Sequence, residues 1–254
     1  MNLFDLTDRV AIVTGGNGGI GLGIARGLAQ AGAAVIVAAR NADKSAAAVK
    51  ELEALGARAL ALEVDVRDEA SCRALVARAV EDLGRLDILV NNAGINIRKL
   101  PQEYTLSEWR EVIDTNLTSA FVCSQAAHPA MVKAGGGKVI STGSMLSIFG
   151  GALMTPYGAS KGGIVQMTQS LACAWAKDNV QVNAILPGFI DTDLTRGTRK
   201  QLPGLHERVL ARTPARRWGE PGDFAGIAVF LASRASDFIT GTAIAVDGGY
   251  SVQV

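Results

Sequence analysis

Histidine is nearly absent from this 254-residue chain, with only His128 and His206 present. That scarcity leaves little material for a histidine metal centre or a Ser/His/Asp triad, and His128, followed by Pro129, reads as structural. Cysteine is also scarce and odd in number. Cys72, Cys123 and Cys173 lie far apart, fit no zinc spacing and suggest a reducing compartment, so no metal is expected. No run of eighteen apolar residues occurs. The opening Met1-Asn2-Leu3-Phe4-Asp5 lacks the charged flank and apolar core of a signal peptide, so a soluble cytoplasmic protein without a membrane partner is expected. Excess charge is missing too: the formal net charge of +1 gives no electrostatic footprint for nucleic acid. What the chain does have is 48% hydrophobic against 19% charged residues, enough to bury a large core. With no repeat, low-complexity tract or linker, one domain over residues 1–254 is expected.

Short β-branched runs alternate with alanine-rich stretches at helical spacing, which predicts βαβ units, a parallel sheet and the α/β class. The strands are read at Val10–Thr14, Ala34–Ala39, Ala59–Val64, Ile88–Asn91, Lys138–Thr142, Gln181–Leu186 and Ala243–Val246. Helices are expected over Gly19–Ala31, Asp43–Leu55, Glu69–Leu83, Ser107–Met131, Pro156–Lys177 and Pro221–Ala232. Gly188–Pro214 shows weak periodicity and reads as an irregular, locally basic lid.

The first strand runs into Gly15-Gly16-Asn17-Gly18-Gly19-Ile20-Gly21 and then a helix. Glycines there permit a tight turn and close approach of the backbone to a pyrophosphate, which the N–H groups of the next helix can bind; the context predicts a dinucleotide site. The second strand ends in Ala38-Ala39-Arg40-Asn41 with no carboxylate for a ribose 2′-hydroxyl. Arg40 could instead pair with a 2′-phosphate, so NADP is expected over NAD, although Arg40 could also be a plain surface residue. Asp65, after the third strand, could accept from an adenine amino group or serve as a turn or cap residue. Asn91-Asn92-Ala93-Gly94 follows the fourth strand at the same sheet edge.

Tyr157 and Lys161 stand four residues apart in a helical stretch, and Ser144 lies thirteen residues before the tyrosine. An i, i+4 pair shares one helix face at about 5–6 Å, so the ammonium could bias the phenol toward phenolate. Such a pair is common in helices by chance. The upstream serine and the glycine-rich loop give it context.

On these residues the chain resembles the short-chain dehydrogenases/reductases over essentially its full length. Thr14-Gly15 through Gly19-Ile20-Gly21 is similar to that family's cofactor loop and Asn91-Asn92-Ala93-Gly94 to its NNAG segment. Asn116, Ser144, Tyr157 and Lys161 match its catalytic tetrad, and Pro187-Gly188 the turn after its sixth strand. The resemblance implies a Rossmann-like doubly wound domain with a seven-stranded sheet, commonly as a homotetramer. It also implies cofactor contacts from Thr14, Gly15, Asn17, Gly19, Ile20, Gly21, Val66, Asn91, Ala93, Gly94, Pro187, Gly188, Ile190 and Thr192, besides Arg40, Asp65, Tyr157 and Lys161. Tyr157 would be the general acid/base and Ser144 would hold the substrate oxygen, with Ser141 and Ser147 as nearby competitors. Lys161 would lower the tyrosine pKa and hold the nicotinamide ribose, and Asn116 would anchor a water leading to solvent. Read without the family, Asn116 could simply bond its own backbone. The chain departs from NADP-using relatives at Gly18, where a basic residue is often found, which leaves Arg40 to discriminate largely alone.

Arg196, Arg199, Lys200, Arg208 and Arg212 in the lid, with Arg98 and Lys99 after the fourth strand, could bind a carboxylate or phosphate or could be solvated surface charge. The paired basic residues after Asn92-Ala93-Gly94-Ile95 look most like relatives acting on gluconate-type acids, so the expected substrate is a small secondary alcohol or ketone such as a keto-sugar acid or polyol. A 3-oxoacyl carrier-protein reductase is the rival. Leu194, Leu202 and Leu205 leave steroid-like substrates open, and a catalytically dead nucleotide-binding regulator is the reading from a different class.

Overall fold

Seven short strands, nearly all apolar, pair into one parallel sheet in the order β3-β2-β1-β4-β5-β6-β7. The computed structural model describes residues 2–253, apart from the side chains of Leu194 and Gln201, so the apolar contribution expected of Leu194 lies outside the described residues. The strands are β1 (Val10–Thr14), β2 (Ala34–Ala38), β3 (Ala59–Leu62), β4 (Ile88–Asn91), β5 (Gly137–Thr142), β6 (Val180–Pro187) and β7 (Ala243–Val246). Between them run α1 (Gly19–Gln30), α2 (Ala42–Ala54), α3 (Glu69–Leu83), α4 (Leu106–Ile113), α5 (Ser119–Lys133), α6 (Thr155–Trp175), α7 (Asp193–Gln201), α8 (Leu205–Arg212) and α9 (Ala225–Ala232).

Every residue of β1 is buried, because a parallel strand covered by helices on both faces has no solvent side. Its alternate residues feed two cores. Ala11 and Val13 pack with Ile24 and Leu28 of α1 and with Leu231 of α9, while Val10 and Ile12 pack with Leu75 of α3, Val122 and Met131 of α5. Each such aliphatic side chain contributes about 1.5–3 kcal/mol by leaving water. The α1–α9 contact is so close that a Cβ at Gly27 would lie 2.7 Å from the Ala225 Cα.

Strand order reverses between β1 and β4, and the carboxyl ends of those strands open the crevice where an α/β sheet binds ligands. One hydroxyl ties the two ends together. Thr14 Oγ1 donates to the Val90 carbonyl (3.2 Å) and accepts from the N–H groups of Asn92 (3.0 Å) and Ala93 (3.1 Å). Asn92 Nδ2 returns a bond to the Thr14 carbonyl at 3.1 Å.

Two expectations need correction. Ser107–Met131 is helical throughout as expected but not a regular α-helix: a π-helical turn at Asp114–Thr118 lies within the run, between α4 and α5. The extra residue turns Asn116 inward, where its amide exchanges two bonds with the Ile95 backbone, a gain that repays the irregular turn. Gly188–Pro214 is likewise not irregular, since it forms α7 and α8 joined at Gly204 (φ 75°). Thr192 and Thr195 cap α7 reciprocally, with Asp193 in its first turn and Arg199 and Lys200 in its last. These polar signals carry the helix, and with few apolar residues the segment has no stripe to read. Elsewhere the expected boundaries match or slip by one or two residues, except that α9 begins at Ala225, after a 3-10 turn over Pro221–Phe224. His128 is structural, stacked on Trp175 at 4.6 Å and bonded to Asp178 at 3.0 Å.

Candidate active site

The crevice begins at the glycine loop. Gly15 adopts φ +64°, which favours glycine, and lets the chain turn back over α1. A Cβ at Gly21 would sit 2.3 Å from the Gly15 carbonyl oxygen, so the loop lies directly on the first turn of the helix. Gly19 faces Thr192, whose methyl would be 3.3 Å from an added Cβ, which brings the start of the α7 lid over the loop. Ile20 packs against the α1 core and Ile190 is buried beneath the lid.

A cleft of about 290 Å³ opens beside this loop, lined by Gly15, Asn17, Arg40, Asp65, Val66, Ala93 and Gly94 among others. Three cations ring it. Arg40 is exposed, and Lys44 and Arg67 join it at the rim. Asn17 Nδ2 donates to Ser45 Oγ at 3.1 Å, and Asn41 caps α2 by accepting from the Lys44 N–H at 2.9 Å. Asp65 is already engaged, because Arg67 grips both its oxygens (3.0 and 2.6 Å) and holds its carboxyl down to about 2, with Arg40 adding a smaller pull. Its carboxylate is therefore committed to Arg67, a clamp written in the sequence only as a basic residue two places on. The geometry suits a phosphorylated dinucleotide: a closely folded glycine loop for diphosphate, and cations at the end of β2 where a 2′-phosphate would lie.

Asn91 turns away from this cleft. It is 6% exposed and donates through Nδ2 to Ser124 Oγ at 2.9 Å, tying β4 to α5. Thr14 is equally buried, serving the β1–β4 junction described above. Pro187 and Gly188 lie at the mouth of a second cavity, and a Cβ at Gly188 would stand 2.7 Å from the Asp247 Cα.

Ser144 and Tyr157 line that second cavity, and Lys161 lies one turn on from Tyr157 along α6. Ser144 follows β5, and its hydroxyl accepts from the Leu146 N–H at 3.1 Å beside the Tyr157 phenol. Ser147 plays a different part from Ser144: its hydroxyl accepts from the Ser144 N–H (3.1 Å) and donates to the Lys161 carbonyl (2.7 Å), strapping the β5 end to α6. Ser141 is fully buried. Lys161 is 4% exposed and Nζ donates to the Thr142 carbonyl at 2.7 Å. An added Cβ at Gly94 would be 3.6 Å from that Nζ and 3.2 Å from Asn116 Oδ1. Asn116 also donates to Ser160 Oγ at 3.1 Å, so its side chain joins the segment after β4 to α6.

The pair Tyr157 and Lys161 is brought together as expected, with Nζ 5.6 Å from the phenol ring centre. The resulting balance differs from the expected one. Burial pushes the Tyr157 phenol up, against an opposing pull from Ser144, and burial pushes Lys161 down to about 8. Desolvation of each charged form sets the balance because both groups are enclosed.

The second cavity, about 270 Å³, is walled by Ser144, Tyr157, Met154, Phe149, Trp218 and Tyr250 among others. Tyr250 comes from the chain end after β7, Trp218 from the segment after α8, and neither carries a local sequence signal for a site. Arg98 and Arg212 face this cavity, whereas Arg196 and Arg199 of the lid are both drawn to Asp191.

A family model described as enoyl-(acyl carrier protein) reductase matches residues 15–251. The chain belongs to the short-chain dehydrogenase/reductase family. Among members of this family, it is 43% identical to the 2-dehydro-3-deoxy-D-gluconate 5-dehydrogenase of Escherichia coli K12 over 251 residues, covering 98% of each chain. The structure of a gluconate 5-dehydrogenase from Burkholderia cenocepacia in complex with NADP and tartrate superposes with TM-score 0.94 at 36% identity, over 99% of this chain and 98% of that one. A 3-oxoacyl (acyl-carrier-protein) reductase from Agrobacterium tumefaciens with NADP bound gives 0.92 at 37% identity, over 98% and 96%. Among the described residues no three His, Cys, Asp or Glu side chains gather as a metal site, and no helix is long and apolar enough to cross a membrane.

Proposed function

We propose that this protein is an NADP-dependent oxidoreductase interconverting a secondary alcohol and ketone on a small sugar acid, with Tyr157 as general acid/base. The observation that carries it is the placement of Ser144 and Tyr157 in the wall of the second cavity, with Lys161 Nζ 5.6 Å from the Tyr157 ring centre. The segment after β4 leads from the cation-rimmed cleft, lined by Ala93, Gly94 and Ile95, to the second cavity, lined by Asn96 and Arg98. Bound NADP supplies the hydride donor or acceptor at its nicotinamide C4 and, when oxidised, a positive ring that favours a nearby phenolate.

The protein's own groups do the rest. Ser144 positions the substrate oxygen against the Tyr157 hydroxyl. Because burial keeps Tyr157 protonated at neutral pH, the phenol is ready to donate to the oxygen of a ketone being reduced. Alcohol oxidation needs the phenolate, so its rate rises with pH. Lys161 supplies a buried ammonium fixed by the Thr142 carbonyl, and Asn116 and Ser147 hold the elements that carry it. Arg40 discriminates for the 2′-phosphate, the Gly15–Gly21 loop receives the diphosphate, and the segment 188–214 closes over both. The whole chain acts as one catalytic domain, cytoplasmic and assembled as a homotetramer. Exposed Phe121 on α5 and Phe238 before β7 support that assembly, since apolar rings of this size favour cover.

The gluconate-type relatives and the tartrate-bound neighbour support the sugar acid. The likeness to a 3-oxoacyl reductase keeps a carrier-protein thioester as the second reading, and a faster turnover of acetoacetyl thioester than of any sugar acid would favour it. The test of the main reading is Tyr157→Phe assayed with NADP across gluconate, polyols and acetoacetyl esters. Loss of general acid/base catalysis lowers kcat by about 10²-fold or more while NADPH binding is kept. Near-normal turnover would refute it, and nucleotide binding without turnover by the unaltered protein would mark a regulator.

A further inference from the structure

The basic lid contains five cations, yet only one of them reaches the second cavity without a carboxylate partner among the described residues. Arg196 and Arg199 are paired with Asp191, and Arg199 also stacks on Trp218 at 4.2 Å. Lys200 and Arg208 are exposed and do not line the cavity. Arg212, in the last turn of α8, lines it. Its guanidinium carbon lies 4.3 Å from the Tyr250 ring centre and 5.5 Å from that of Phe149. These two rings form an edge-to-face pair 6.4 Å apart, and Tyr250 is backed by Phe189 at 5.3 Å. A guanidinium laid against aromatic faces is held in place through its π-face while its N–H edge stays free for a planar, two-oxygen acceptor.

The same cavity carries the hydroxyl-bearing side chains of Ser144 and Tyr157. A guanidinium and these hydroxyls in one cavity fit a hydroxylated chain ending in a carboxylate.

We propose that Arg212 is the specificity residue that binds the substrate carboxylate and makes an acid, rather than the matching neutral polyol, the preferred substrate. This rests on the oxidoreductase reading above. Arg212 touches the substrate end remote from the reacting carbon, so its effect falls on KM and not on the proton transfer at Tyr157.

The test compares Arg212→Gln and Arg212→Lys with the unaltered enzyme on gluconate and on glucitol, its neutral counterpart of equal chain length, with tartrate binding to the NADP-loaded enzyme measured by calorimetry. Losing a charge-assisted contact raises the gluconate KM of Arg212→Gln by about 10–100-fold. Its kcat, its glucitol KM and its KM for NADP stay within about threefold of the unaltered enzyme, tartrate affinity falls in parallel with gluconate, and Arg212→Lys recovers part of both. Equal losses on gluconate and glucitol would mean that Arg212 only braces α8, and an unchanged gluconate KM would mean another group holds the acid; either overturns the proposal. An unaltered enzyme that turns over glucitol with no preference for gluconate refutes the anchor and leaves the oxidoreductase reading standing. One that turns over no alcohol or ketone removes that reading and the anchor with it.

Discussion

Replacing Lys161 with methionine exchanges a buried ammonium for an apolar chain of similar length, and the structure sets how stability responds to pH. Lys161 is 4% exposed, and burial lowers its pKa from 10.5 to about 8. That gap corresponds to a penalty of about 3 kcal/mol on the charged form in the folded protein. Below pH 8 the folded and unfolded chains both carry the ammonium and the penalty is felt in full. Between about 8 and 10.5 the folded chain sheds its proton first, the unfolded chain holds more protons, and stability rises with pH; above that range the penalty is gone. Methionine does not titrate, but it leaves the Thr142 carbonyl without its 2.7 Å donor, at a cost of about 1–3 kcal/mol. The variant should therefore be equal to or up to about 2 kcal/mol more stable than the unaltered protein at pH 7, and less stable above pH 10. The difference between the two proteins moves by about 3 kcal/mol across that range. Guanidinium unfolding followed by tryptophan fluorescence from pH 7 to 10.5 reads it directly, and activity falls in the same variant. A stability difference that is the same at pH 7 and pH 10 would show that Lys161 carries no such burial penalty.

Arg40→Ala should lower kcat/KM for NADP by about 10–100-fold, the loss of a charge-assisted phosphate contact, while leaving kcat/KM for NAD within about threefold. Equal changes for both cofactors, or a preference for NAD already present in the unaltered enzyme, would remove Arg40 from that role. Light scattering should give a mass of four 26.4 kDa chains, reduced by Phe121→Glu, which puts a charge on an exposed apolar face of α5. A monomer at micromolar concentration would contradict the assembly.

The strand-loop-helix at Val10–Gly21 was legible because local chemistry dictates it: a buried apolar strand, a turn needing φ > 0 at Gly15, and a helix too close for any side chain at Gly21. The five inner strands were readable because parallel strands buried on both faces appear as short apolar runs, and the half-exposed edge strands β3 and β7 because they too are short and wholly apolar. The α7–α8 lid was not, because α7 is held by a threonine cap and charge with almost no apolar residue, and α8 is only eight residues long with a short apolar pair at Leu205 and Val209. The π-turn at Asp114–Thr118 was also hidden, as its stabilising bonds go to Ile95 and Ser160, distant in sequence.

The sequence by itself determined the α/β class and marked the glycine loop and the Ser144, Tyr157 and Lys161 set as candidates, through residue type at short spacing and, for the set, through its family resemblance. Tertiary structure alone decided how those groups are poised. Burial from all sides reverses the simple expectation for Tyr157, since desolvation is a property of the enclosure and not of the four-residue interval to Lys161. It also decided which lid cations remain available. Asp191 takes Arg196 and Arg199, and aromatic rings from Phe149 and the chain end at Tyr250 hold Arg212, a selection made by contacts between segments distant in sequence or by charge pairing in a folded lid.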